Sequence, residues 1–373
     1  MSRIPDVLVV GAGVVGAAVA WALARDGHSV EVVDESFPAG GTTAAGMGHI
    51  VVMDDSAAQF ALTSYSRRLL DEHESELPSS CEFDRCGTLW IARNDADLDA
   101  ARGKLDYYAK RGVGAQLLDA RQLAEAEPGL AGEFAGGLRV PGDAVVYPPG
   151  LAAWMLDRAR ASGARVRTGE RIDAIDERGA TSGGTRIPAG MVVNVAGAAA
   201  ARLTPGLALV PRKGHLAITD RHPGLCRHQL VELGYLASAH TMAGESVAFN
   251  LQPRITGQVL IGSSRELVGW DPSINRAILR RMLERAVTFV PALALASVIR
   301  VWTGFRPATP DKLPLIGPWD EARRVWLATG HEGLGITMAL GTAHILADLI
   351  AGRNPQIDPL PFAPGRKAAL VGA

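Results

Sequence analysis

The N-terminal stretch VLVVGAGVVGAAVAWALARDGHSVEVVDE, residues 7–35, constrains the fold of this 373-residue chain more than any other part. Its first eighteen residues carry no charge, a length that could cross a membrane. The order of residues instead predicts a strand at Val7–Val10, a helix at Ala17–Arg25 that ends at Gly27, and a second strand at Ser29–Val33. We therefore expect a βαβ unit, because a membrane helix has no use for the glycine spacing in this stretch.

The glycine turn of the unit, GAGVVG, has the spacing that a dinucleotide requires. Gly11 permits the tight turn, Gly13 lets the backbone approach a pyrophosphate, and Gly16 lets the helix pack closely on the sheet. The helix N-terminus offers N–H groups and the positive end of its dipole to phosphates. Asp34 lies 18 residues beyond Gly16, where an acid can bind a ribose. Together these features predict dinucleotide binding.

The loop that follows the acid bears on which dinucleotide binds. Residues 41–48, GTTAAGMG, are small and carry two hydroxyl groups. Such a loop can run back along the dinucleotide and lay its GMG portion against a flat ring, which favours FAD over NAD. The alternative is a flexible loop without a ligand.

Composition narrows the class of protein. With 47% hydrophobic and 21% charged residues and a net charge of -1, the chain is typical of a globular protein, and no nucleic-acid partner or transmembrane segment is expected. Cys81, Cys86 and Cys226 match neither a zinc ligand set nor a CxxC motif. We expect idle thiols, no metal, and a cytoplasmic location or a peripheral one at the inner face of a membrane.

Motifs distributed over the whole chain resemble the D-amino-acid-oxidase-like FAD oxidoreductases, a family that includes glycine and sarcosine oxidases and D-amino-acid and D-hydroxyproline dehydrogenases. In chain order they are GAGVVG with Asp34, then GGTTAAGMG, VVNVAG at 192–197, GFRPATPDKLPLIGP at 304–318, and ATGHEGLGITMALGTA at 328–343.

This resemblance implies an α/β fold with two domains. The first is a Rossmann-type FAD-binding domain of the glutathione-reductase-like kind, formed by residues 1–80, 145–210 and 300–373. The second is an α+β substrate domain on a mostly antiparallel sheet, formed by residues 81–144 and 211–299.

The resemblance also implies the FAD contacts. Val14 and Val15 would lie at the pyrophosphate, Asp34 and Glu35 at the adenosine ribose, and Ile172 at the adenine. The other predicted contacts are mostly glycines, hydroxyl residues and the C-terminal segment: Gly11, Gly13, Gly16, Thr42, Thr43, Gly46, Met47, Gly48, Gly197, Gly330, His331, Glu332, Gly333, Leu334, Gly335, Ile336 and Thr337. A helix predicted from Ile336 would direct its positive N-terminus at the flavin. No cysteine lies in the two C-terminal motifs, so non-covalent FAD is expected.

Three residues are candidates for catalysis. In this family the arginine of the GxRPxTPD motif, here Arg306, binds the substrate carboxylate, and a planar guanidinium can hold it so that the Cα–H lies over flavin N5. His49 could contact the substrate amine or tune the flavin, or it could be structural. Asn250 lies on a predicted hairpin whose pocket-facing side the pattern does not determine.

Departures from the oxidases indicate a branch of the family. Glycine and sarcosine oxidases tend to carry an aromatic-Arg-Asn run where this chain has Glu332-Gly333-Leu334. Residues 46–55 and 211–220 look like those of D-hydroxyproline dehydrogenases. We therefore predict an FAD-dependent dehydrogenase that transfers a hydride from the C–N unit of a small D-amino or cyclic imino acid, D-hydroxyproline-like or D-proline-like, to flavin N5.

Two alternatives stay open. One is a glycine- or sarcosine-type oxidase that uses oxygen. The other is a flavin subunit that relays electrons in a complex without a substrate of its own. Several dehydrogenases of this family work as one subunit of a complex with iron–sulfur or further flavin subunits, and this chain has no iron–sulfur cysteine set of its own. The resemblance therefore implies partner subunits that accept the electrons.

Overall fold

A computed structural model describes residues 4–234 and 245–366. The helices are α1 Val14–Arg25, α2 Ala57–Asp71, α3 Asp95–Ala109, α4 Ala120–Ala126, α5 Pro148–Ala161, α6 Ala200–Leu203, α7 Arg276–Phe289 and α8 Gly335–Ile350. The strands are β1 Val7–Val10, β2 Val30–Asp34, β3 His49–Ile50, β4 Thr88–Ala92, β5 Gln116–Asp119, β6 Gly136–Val140, β7 Ala144–Val145, β8 Arg165–Thr168, β9 Ala174–Asp176, β10 Gly179–Ser182, β11 Thr185–Pro188, β12 Met191–Asn194, β13 Val210–Thr219, β14 Gln229–Glu232, β15 Ser246–Pro253, β16 Val259–Arg265, β17 Val298–Ala308, β18 Leu315–Pro318 and β19 Val325–Thr329.

The first sheet has six strands in the order β18-β19-β12-β1-β2-β8, all parallel except β18. Along β1, Val7 and Val9 pack against the helices α1, α5 and α8, while Leu8 and Val10 pack beneath the small antiparallel sheet β9–β11. Because both faces are covered, the strand is apolar throughout, as expected for a buried parallel strand.

Helix α1 begins at Val14, three residues before the predicted start, and ends as the sequence predicts. Gly27 has a φ of +91°, and the N–H of His28 donates to the carbonyl of Leu23 over 3.1 Å. This arrangement satisfies the last carbonyls of the helix and turns the chain into β2.

The second sheet has eight strands in the order β17-β13-β16-β15-β14-β4-β6-β5. Its neighbouring strands are antiparallel except for the pair β14 and β4. One face packs on α7, and the other faces a large cavity. The predicted fold class, a Rossmann-type domain with a second domain on a mostly antiparallel sheet, is confirmed.

The segment that leads to Arg306 belongs to the eight-stranded sheet. Strand β17 pairs with β13 from Val298 to Ala308, so residues 300–308 belong to the eight-stranded sheet. The motif that contains Arg306 therefore starts on the substrate side and only then returns to β18. None of the helices among the described residues combines the length and the apolar character that a membrane span requires.

Candidate active site

A cavity of about 730 Å³ lies between the two large sheets. We call the part lined by the glycine turn after β1, the end of β2 and residues 40–48 the cofactor end. The substrate end is lined by one face of the eight-stranded sheet, by His49 of β3 and by Gln59 of α2. Its lining residues on the sheet are Trp90, Gln229, Val231, Asn250, Ser263, Arg265 and Arg306.

The glycine turn at the cofactor end has no room for side chains. Gly11 has a φ of +118°, and a Cβ added there would lie 2.7 Å from the Val195 carbonyl oxygen. A Cβ at Gly16 would lie 2.0 Å from the carbonyl oxygen of Gly11. Gly11 and Gly13 line the cavity, so a ligand can approach the backbone directly.

The helices α1 and α8 begin at the cavity, and neither N-cap residue supplies a side-chain hydrogen bond to the helix. Among the described residues, other helices have such caps, from Ser56, Asn94, Asp119 and Asn275. Because the first N–H groups of a helix require partners, the N-termini of α1 and α8 fit a diphosphate and the electron-rich edge of a ring.

The loop of residues 41–48 is fixed by hydrogen bonds of its two threonines. The N–H of Val14 donates to Thr43 Oγ1 over 3.0 Å, and Thr42 Oγ1 donates to the Phe305 carbonyl over 2.7 Å. At the end of β2, the Asp34 carboxylate accepts N–H groups of Ala12 at 2.7 Å and Ser36 at 2.9 Å. These bonds fix a carboxylate with spare lone pairs at the cavity, as binding of a ribose diol requires.

The C-terminal segment reaches the cavity between β17 and α8. The N–H of Glu332 donates to the Pro307 carbonyl over 3.0 Å, and its carboxylate accepts from Arg212 at 2.9 Å. His331 is buried and hydrogen bonded with Thr342 Oγ1 at 2.9 Å. Burial lowers the pKa of His331 to about 3, so the ring is neutral at physiological pH.

The cavity brings together all the predicted site residues except three. Gly16, Gly330 and Thr337 are not among the lining residues and lie behind the lining. Gly330 has a φ of +80°, and a Cβ there would lie 2.7 Å from Thr309 Cγ2. Thr337 Oγ1 donates to the backbone carbonyl of His49 over 2.7 Å. These residues therefore support the cavity lining.

Arg306 extends from β17 across the neighbouring strand. A Cβ on Gly214 would lie 2.4 Å from its Nη1 atom, and Nη1 donates to the Ser264 carbonyl on β16 over 3.0 Å. Gly214 on β13 is thus required for the guanidinium to lie over the sheet. The side chain lines the cavity and presents a planar group suited to a carboxylate.

His49 and Asn250 form a polar pair near Arg306. The Asn250 amide lies 3.1 Å (Nδ2) and 3.3 Å (Oδ1) from His49 Nε2. Burial lowers the pKa of His49 to about 4, the Asn250 hydrogen bond opposes this shift, and the positive charge of Arg306 adds to it. A neutral imidazole therefore faces the cavity at physiological pH. The pairing also shows which face of β15 borders the cavity.

Several lining residues carry no sequence signal of their own. Trp90, Gln229 and Ser263 each come from a different strand, and Gln59 comes from α2. One buried side-chain atom of each, Trp90 Nε1, Gln229 Oε1, Ser263 Oγ and Gln59 Oε1, has no hydrogen-bond partner. Alternation could indicate that a strand residue faces inward, but only the sheet order brings these positions together.

Comparison with known proteins agrees with this geometry. The family model described as FAD dependent oxidoreductase matches residues 6–349. Glycine oxidase of Geobacillus kaustophilus is 28% identical over 98% of both chains. Its crystal structure has a TM-score of 0.88, with 26% identity over 98% of this chain and 99% of that one.

Two further relatives have names other than glycine oxidase. D-amino acid dehydrogenase of Xanthobacter autotrophicus is 29% identical over 97% of this chain and 99% of its own. Hydrogen cyanide synthase subunit HcnC of Pseudomonas aeruginosa is 28% identical over 98% of this chain and 97% of its own.

Proposed function

The chain belongs to the family of FAD dependent oxidoreductases, and from this premise we propose that it oxidises the C–N bond of a small amino or imino acid. Membership confirms the predicted family and the predicted cofactor, FAD. The observation that carries the proposal is the Arg306 guanidinium, anchored over the sheet beside the His49–Asn250 pair in a cavity that fits FAD at its other end.

Arg306 binds and orients the substrate. Two parallel hydrogen bonds from its guanidinium fix a carboxylate in one plane, which determines where the Cα–H lies. Positioning of this kind supplies most of what the protein contributes to a transfer between two bound molecules. When bound, FAD accepts the hydrogen and the electron pair that leave the Cα of the substrate.

His49 and Asn250 contact the amine. The substrate nitrogen must lose a proton before its lone pair can form the C=N bond. A base whose conjugate acid has a pKa near 4 holds a proton poorly at neutral pH, so His49 accepts a hydrogen bond from the amine and leaves the proton to solvent. Asn250 fixes the orientation of the imidazole ring.

We further propose a dehydrogenase for a D-amino acid or cyclic imino acid, D-hydroxyproline-like or D-proline-like. The D-amino acid dehydrogenase relative and the Glu332-Gly333-Leu334 segment, where oxidases of the family tend to differ, support this choice. The subunit name of the HcnC relative supports an electron-accepting partner protein. The rival is a glycine-type oxidase, which the glycine oxidase relative favours.

An anaerobic flavin-bleaching screen tests the proposal. Purified holoenzyme is mixed with glycine, sarcosine, D-alanine, D-proline and 4-hydroxy-D-proline, and loss of the oxidised flavin absorbance is recorded. We expect fastest bleaching with a proline-type compound and little hydrogen peroxide in the matching aerobic assay. Fast peroxide release with glycine would support the oxidase. A flavin that stays oxidised with every amino acid would support an electron-relay subunit instead.

A further inference from the structure

The part of the substrate end on β4 and β14 contains polar atoms that the proposed reaction does not use. Trp90 Nε1, Gln229 Oε1 and Gln59 Oε1 are buried and have no hydrogen-bond partner. The three residues are 3%, 2% and 4% exposed, and all line the cavity. A buried polar atom without a partner costs about 1–3 kcal/mol, so three in one lining indicate a ligand that pairs with them.

The sheet register places these residues beside the catalytic pair. Trp90 lies opposite Val231, and Val231 lies opposite Asn250, so one row crosses three strands on the cavity face. Gln229 precedes Val231 by two positions and shares its face. Gln59 belongs to the first turn of α2, whose N-terminus is fixed by Ser56.

The distance from Arg306, which we call the carboxylate clamp, assigns the lining on β4 and β14 to the substrate side chain. Arg306 is anchored on β16, and β14 and β4 lie two and three strands further along the sheet. Neighbouring strands are about 4.8 Å apart, so the region begins roughly 10 Å from the clamp. A group bound there is separated from the carboxylate by the Cα and further side-chain atoms.

The chemistry of the three atoms indicates a neutral group. The Trp90 indole donates one hydrogen bond, and the two amide oxygens accept. A carboxylate would be repelled by the two carbonyl oxygens. An ammonium group has no acceptor for the N–H of the Trp90 indole. A hydroxyl group accepts from the Trp90 indole and donates its one proton to one of the two amide oxygens, and a primary amide can pair with all three atoms.

We propose that Trp90, Gln229 and Gln59 form a subsite for a hydroxyl group, or another neutral group that donates and accepts, on the side chain of the substrate. This inference rests on the proposed function, because it assigns selectivity to the same site. It names the residues that distinguish a hydroxylated amino or imino acid from an apolar one of the same shape.

The test compares matched substrates, with and without a side-chain hydroxyl group, in anaerobic flavin reduction by the holoenzyme. The pairs are D-threonine with D-valine and 4-hydroxy-D-proline with D-proline. We expect wild type to reduce faster with the hydroxylated member of at least one pair, by about fivefold in kcat/KM for one neutral hydrogen bond. Gln229→Leu and Trp90→Phe should each abolish most of that preference, while Gln116→Leu, a change on the exposed strand β5, should retain it.

Stability provides a second measurement. Gln229→Leu removes a buried unpaired acceptor together with one long hydrogen bond, from Gln229 Nε2 to Thr88 Oγ1 over 3.4 Å, so the melting temperature of the substrate-free variant should change little. A large fall would indicate a structural role and contradict the subsite. Equal rates within both pairs, or a preference that survives both variants, would overturn the subsite alone. Failure of every compound to bleach the flavin would overturn the proposed function and the subsite with it.

Discussion

The two ends of the cavity are constructed from different parts of the polypeptide. The cofactor end is formed largely by backbone: the glycine turn, the N-termini of α1 and α8, and a loop held by Thr42 and Thr43. The substrate end is formed by side chains that project singly from separate strands, such as Arg306, Asn250 and Gln229. Backbone binds features that every FAD shares, whereas side chains can be exchanged one at a time to select a substrate. The two ends should therefore respond differently to mutation.

The largest effect is expected at the cofactor end. Gly11→Ala forces a φ of +118° on a residue with a Cβ and places that atom 2.7 Å from a carbonyl oxygen. Backbone strain alone costs about 1–3 kcal/mol, and the contact adds to it. We expect purified Gly11→Ala to retain less than about a tenth of the wild-type flavin, measured by absorbance after gel filtration.

Gly27→Ala is the matched control for this change. Gly27 has a φ of +91°, but a Cβ there would meet nothing within 4 Å. It should lose about 1–2 kcal/mol of stability and keep its flavin. Equal flavin loss in both variants would mean that backbone strain, and not the shape of the cavity, controls cofactor binding.

At the substrate end, Arg306→Ala should impair substrate oxidation without impairing flavin binding. Removing one partner of a buried charge pair costs about 2–5 kcal/mol, so kcat/KM for the best substrate should fall roughly 30- to 4,000-fold. Flavin content should stay at the wild-type level. Steady-state kinetics and absorbance measure the two quantities, with the exposed Arg280→Ala as control. Unchanged kinetics would remove Arg306 from the substrate site.

The pH dependence of stability reports on His331 at the cofactor end. Its pKa is about 3 in the folded protein and near 6.5 when unfolded, so acid favours the unfolded state. The contribution of neutral His331 to the unfolding free energy is complete above pH 6.5 and is lost as the pH falls toward 3. Between pH 7 and 5 we expect wild type to lose about 2 kcal/mol more unfolding free energy than His331→Gln, measured in urea.

The contribution of Asp143 to the unfolding free energy has the opposite pH dependence, because burial raises its pKa to about 6. It stabilises the folded protein as the pH falls through 6, in wild type and variant alike, and therefore cancels in the difference. An identical pH dependence in both proteins would show that His331 is protonated in the folded state or accessible to water.

The smallest effect is expected where the two ends meet. Thr337 on α8 donates to the His49 carbonyl, and Thr337→Val removes this bond, together with a long one of 3.4 Å from the Val51 N–H, while keeping the shape. One neutral hydrogen bond is worth about 1 kcal/mol, so kcat/KM should fall about fivefold with flavin content unchanged. Thr288→Val, which removes a hydroxyl-to-carbonyl bond on α7, should leave kcat/KM unchanged. Equal losses in both would assign the effect to general stability.

The same contrast explains what could be predicted from sequence. Gly11, Gly13 and Asp34 lie within one βαβ unit, so their spacing alone indicates a dinucleotide site. Arg306 was found because its motif resembles a known family. Trp90 and Gln229 could not be found, because they become neighbours of Asn250 only through the pairing of β4, β14 and β15. The pairing of residues 300–308 with β13 could not be predicted either, because one motif contributes to both sheets.

A crystal structure of the holoenzyme with a slowly reacting amino-acid analogue tests the central claim most directly. We predict FAD extending from Asp34 past the N-termini of α1 and α8, and the carboxylate of the analogue paired with the Arg306 guanidinium on the side of His49 and Asn250. A nicotinamide dinucleotide in the cavity, or a carboxylate bound away from Arg306, would contradict it.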